Sequence, residues 1–70
     1  MLNIPGTITL IRTPTDWRAK FTGEIAAHIV GLFGVDTLAT VFLASAKAAD
    51  VEKEMRRHWP KCHITVGAAQ

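Results

Sequence analysis

A chain of 70 residues has room for one domain, and a core of that size buries only about 60% of the surface that its unfolded chain exposes. Hydrophobic residues make up 49% and charged residues 20%, which excludes the apolar-poor composition of a disordered chain, and a net charge of +2 is far from the dense basic stripe of a strong polyanion binder. The single cysteine, Cys62, rules out an internal disulfide, and the spaced Cys and His ligands of a structural zinc site are lacking, so a small core must be supported by packing or self-association.

The segment from Met1 to Gly6 lacks the basic stretch and apolar core of a secretory leader, so a cytoplasmic setting is expected. Residues 1–6 and 67–70 are expected to be extended or frayed ends of a single domain over 1–70. Thr7 to Arg12 alternates, with Ile8 and Leu10 set against Thr7 and Thr9, which predicts a strand with one buried face. Thr13-Pro14-Thr15-Asp16 is turn chemistry, after which Trp17, Ala19 and Phe21 alternate with Arg18 and Lys20. The two strands are expected to form an antiparallel hairpin.

From Glu24 the period changes. Ile25, Ile29, Leu32 and Phe33 stand on one stripe of a short helix that starts near Thr22 or Gly23 and stops at Gly34. Thr37 to Leu43 is apolar and β-branched on both faces, the pattern of an inner strand. The apolar stretch from Ile25 to Ala46 is not expected to span a membrane, because Asp36 would lie near its middle and Gly31 and Gly34 separate a helix from a strand. Ser45 is placed to cap a second helix running to Trp59 before Pro60, with Ala48, Val51, Met55 and Trp59 as its buried stripe. On its outer face Glu52 can pair with Arg56, and Glu54 with Arg57 or His58. Cys62 to Val66 alternates again and predicts a last strand.

The expected fold is therefore an α+β two-layer sandwich in the order β-β-α-β-α-β, a four-stranded mixed sheet with two helices on one face. Such a fold leaves one sheet face uncovered. Thr7, Thr9, Ile11, Arg18 and Lys20 are the expected partner-binding residues of that face, together with His63, Thr65 and either Ala39, Val41 and Leu43 or the alternate half of their strand.

Catalytic chemistry finds little support. Cys62 could form a thiol–imidazole pair with His58 or His63, but His63 should point to the opposite sheet face and His58 lies beyond Pro60. His28 borders an apolar stripe, Asp36 sits in a turn, and Gly31 and Gly34 close a helix where a phosphate loop would open one. The cysteine pair of a small metal-chaperone sandwich and the amino-terminal proline of a small tautomerase are both missing. No cofactor, metal or catalytic residue is expected.

Two binding functions remain. The first is a non-enzymatic module for protein–protein contact, a homo-oligomer or the partner of an unidentified protein, working through the open sheet face or an edge strand. The second is weak nucleic-acid binding by Lys53, Arg56, Arg57 and Lys61 around the second helix, with Trp59 nearby for stacking. Against the second, Glu52 and Glu54 interrupt the basic run and Trp59 falls in register with the core residues Val51 and Met55.

Overall fold

The computed structural model describes residues 4–67. They form β1 (Gly6–Arg12), β2 (Asp16–Thr22), α1 (Glu24–Phe33), β3 (Thr37–Leu43), α2 (Ala48–His58) and β4 (Cys62–Val66). The four strands make one mixed sheet in the order β3-β2-β1-β4, and the α+β fold expected from the sequence is the fold observed. β1 pairs antiparallel with β2 and parallel with β4, while β2 pairs antiparallel with β3.

The alternation read in β1 and β2 sets the core. Ile8, Leu10, Trp17, Ala19 and Phe21 turn to one side of the sheet and meet Ile25 and Ile29 of α1, Val51 of α2 and Ile64 of β4, all buried. Each large aliphatic or aromatic side chain so buried stabilises the fold by about 1.5–3 kcal/mol. α1 ends where its sequence says it should. Gly34 takes the left-handed conformation with φ 80°, open to glycine without steric cost, and its N–H closes the last turn on the Val30 carbonyl at 2.8 Å.

Three expectations are corrected. β3 is an edge strand: β1 already holds β2 on one side and β4 on the other, so only the outer side of β2 is left for it. The β2–α1–β3 connection is accordingly an antiparallel return to the end of β2, where the Phe21 N–H meets the Asp36 carbonyl at 2.8 Å. In α1 only Ile25 and Ile29 are buried; Leu32 is 63% and Phe33 59% exposed, because the helix packs chiefly on β1 and β2 and its last turn meets no facing element. α2 starts at Ala48 with Lys47 as its flanking residue and no side-chain cap, so Ser45 lies outside it. Its turn after Leu43 is held elsewhere, by backbone bonds and by the Ala46 carbonyl.

The two ends of the described chain are tied in. The Pro5 carbonyl accepts from the Ile25 N–H at 3.0 Å, Gly6 opens β1, and the Gly67 N–H donates to the Leu10 carbonyl at 2.7 Å. The rest of the expected ends, 1–3 and 68–70, lies outside the described residues. Among the described residues no helix is long and apolar enough to cross a membrane.

Candidate functional site

The sheet has two edges, and the β3 edge carries the most unusual surface. Its register against β2 pairs Lys20 with Thr37, Ala19 with Leu38 and Arg18 with Ala39. Because the Phe21–Asp36 pair is hydrogen-bonded, alternation makes Ala19–Leu38 the next bonded pair and turns the N–H and C=O groups of Thr37 and Ala39 outward. The ladder is then interrupted. Arg18 faces Ala39 but Asp16 faces Leu43, so two more residues are inserted in β3 than in β2. The hydroxyl of Thr40 fills the gap, donating to the Trp17 carbonyl at 2.7 Å and accepting the Phe42 N–H at 3.2 Å.

An insertion of two residues preserves the face of each side chain. Leu38, Thr40 and Phe42 stay half-buried on the helix side, while Ala39, Val41 and Leu43 emerge on the open side, with Val41 94% and Leu43 70% exposed. Apolar side chains thus stand on both faces of an outer strand. On the helix side a cleft of about 240 Å³ opens between β3 and α2, with Phe21, Leu38 and Phe42 facing Met55 and Trp59, and with Glu54 and His58 at its polar rim. His58 donates from Nε2 to Glu54 Oε1 at 2.9 Å and Arg57 reaches the same oxygen at 2.8 Å. The His58 hydrogen bond, with a further contribution from Arg57, holds the Glu54 carboxyl below its ordinary range.

The residues singled out in the sequence fall into two separate groups. Thr7, Thr9 and Ile11 of β1 are half-buried and lie beside the exposed Arg18 and Lys20 of β2, Thr9 opposite Lys20 and Ile11 opposite Arg18. Arg18 also leans on the Asp16 carboxylate at 3.4 Å, and Thr9 shares a hydroxyl contact with Thr65 of β4 at 3.4 Å. Ala39 pairs with Arg18, which joins β3's open side to this set. Of the two halves of this strand offered by the sequence, the structure puts Ala39, Val41 and Leu43 on the open side, on an outer strand and not the inner one expected. Their signal was present as an apolar run on both faces, read as burial within the sheet and not as burial by something outside it.

The basic group sits on α2 and after it. Arg56 binds Glu52 at 3.0 Å and Arg57 binds Glu54, leaving Lys53 and Lys61 exposed without an ion pair among the described residues. Trp59 is half-buried and meets the Phe21 ring edge-on at 5.4 Å between centroids, so its face is committed to the core margin. Cys62 donates to the Ile4 carbonyl at 3.3 Å, and burial pushes its thiol up from the ordinary value. His63 is exposed, and no three metal-ligating side chains come together among the described residues.

Comparison with protein-family models, with curated proteins and with solved structures finds no match to this chain.

Proposed function

We propose that the protein is a binding module that works by protein–protein contact at the β3 edge. The observation that carries this reading is a charge-free outer strand, Thr37–Leu43, with apolar side chains on both faces and Val41 94% exposed at its centre. Covering such a strand gains about 25 cal/mol for each Å² of apolar surface removed from water and satisfies its free backbone groups. On the open face Arg18 and Lys20 of β2 stand next to this edge as the polar rim of the contact, with Thr7, Thr9 and Ile11 of β1 one strand further in.

Nucleic-acid binding through Lys53, Arg56, Arg57 and Lys61 is the weaker reading, since both arginines are held by glutamates and Trp59 has its ring against Phe21. The setting that accompanies the module is the cytoplasm, where the lone Cys62 thiol stays reduced.

Light scattering across a concentration series, at low and high salt and with and without a mixed DNA oligonucleotide, tests the choice. The module reading expects a mass above one chain that salt and DNA leave unchanged, that falls to one chain in Val41→Lys and that persists in Arg56→Ala with Arg57→Ala. A single chain that gains mass only with DNA at low salt would sink it in favour of the basic helix.

A further inference from the structure

We infer that the partner at this edge is a second copy of the chain, its β3 laid antiparallel on β3 so that the two four-stranded sheets continue into one. The inference rests on the interaction-module reading and names its occupant. Three features of the strand favour a copy of itself.

The first is charge. Thr37–Leu43 contains no ionisable side chain, so two such strands running antiparallel oppose no like charges in any register. It also lacks the lysine or proline with which sheet edges commonly block pairing. The second is the backbone. Thr37 and Ala39 each present an N–H and a C=O outward, and a two-fold axis perpendicular to the sheet sets the same residues of both copies against each other, donor to acceptor. The insertion beyond Ala39 confines this ladder, because the Phe42 N–H is turned onto Thr40.

The third is area. A stable interface covers about 800 Å² on each partner, and a ladder at Thr37 and Ala39 alone is far too short for that. Apolar side chains on both sides of the strand add to it. Val41 and Leu43 flank the ladder on the open face, and Leu38 and Phe42 flank it on the helix face with the 240 Å³ cleft behind them. The same two-fold axis places both helix layers on one side of the joined sheet. Each cleft then faces the other, with the two Leu38 side chains at the middle of one apolar strip between the α2 helices and a Phe42 toward each end.

Residue-resolved amide hydrogen exchange, run beside light scattering on the wild-type chain and on Val41→Lys, tests the arrangement. Val41 is exposed enough for its replacement to leave the fold intact, and unchanged protection at Ile8 and Leu10 checks that it does. The expected result is a two-chain mass in which the Thr37 and Ala39 amides exchange more slowly by about tenfold or more than in the single-chain variant. A two-chain mass with Thr37 and Ala39 exchanging as fast as in Val41→Lys overturns the arrangement while leaving self-association standing. A single-chain mass at every concentration overturns both the second copy and the module reading.

Discussion

The indole N–H of Trp17 and the carbonyl oxygen of Ala46 meet at 3.0 Å, joining the second strand to the turn that leads into α2. The same oxygen accepts from Arg12 Nη2 at 3.2 Å, and the Arg12 guanidinium lies 4.7 Å from the centre of the Trp17 ring. One carbonyl therefore gathers two donors that also stack on each other. Trp17→Phe should lower the unfolding free energy by about 1–3 kcal/mol through the lost hydrogen bond and the smaller ring. Arg12→Ala should cost less than about 1 kcal/mol, as an exposed stacking contact does. Urea titration of both single variants and the double variant reads the pair. Strict additivity would mean that the two donors do not share the task of holding the turn.

Gly6 and Gly34 both have positive φ, but only Gly6 is also crowded. A Cβ at Gly6 would collide with the Ile25 side chain and come within 2.7 Å of the Thr22 carbonyl, whereas a Cβ at Gly34 meets nothing within 4 Å but must be carried at φ 80°. Gly6→Ala should cost about 1–3 kcal/mol from crowding added to its positive φ of 157°. Gly34→Ala should cost about 1 kcal/mol from backbone conformation alone. Thermal unfolding distinguishes them, because Gly34→Asn should recover part of the second loss and Gly6→Asn none of the first. Equal recovery at both positions would refute the distinction.

Asp16 and Glu54 make the fold sensitive to acid. Asp16 is held below its ordinary 3.8 chiefly by the Thr13 hydroxyl and then by Arg18, and Glu54 below its ordinary 4.5 chiefly by His58 and then by Arg57. Both carboxyls bind protons less readily folded than unfolded. Their contribution is complete above the unfolded values and is lost as pH falls through the folded ones, so the denaturation midpoint should drop from about pH 5 to pH 3. Glu54→Gln should show a shallower drop over that range. A profile identical to wild type would remove Glu54 from the account.

Cys62 shifts in the other direction. Burial raises its thiol above the ordinary 9.0, and its hydrogen is given to the Ile4 carbonyl. The neutral form is favoured in the folded chain, so this contribution is full below pH 9.0 and is lost as pH rises beyond it. Disulfide reagents should modify the native thiol much more slowly than the denatured one at neutral pH. Equal rates in the two states would show that Cys62 is neither shielded nor bonded.

The particular residues say how far the sequence reaches. The β1–β2 hairpin was legible because Trp17-Arg18-Ala19-Lys20-Phe21 alternates without a fault and only one register buries its apolar half. α1 was legible at both ends, since Gly23 and Gly34 mark conformations that other residues resist. Thr37–Leu43 was legible as a strand and misleading as to its position. An apolar run records what must leave water, and it is silent on whether the covering surface belongs to the same chain. Leu32 and Phe33 repeat the lesson in a helix, where the period continues after the sheet beneath it has ended. Ser45 misled for a different reason: local capping chemistry was outweighed by Trp17 and Arg12 pulling the Ala46 carbonyl toward the hairpin.

The parallel pairing of β4 with β1 sets the schedule on which this molecule can be made. On the ribosome β1 emerges early and finds β2 almost at once, but its other side stays bare until Cys62–Val66 has left the exit tunnel. Until then the growing chain exposes the unpaired flank of β1 in addition to β3; β4 then covers that flank and becomes the second edge itself. The last strand to be made is thus the one that ends the chain's most exposed state, because its parallel partner has waited through the whole of β2, α1, β3 and α2.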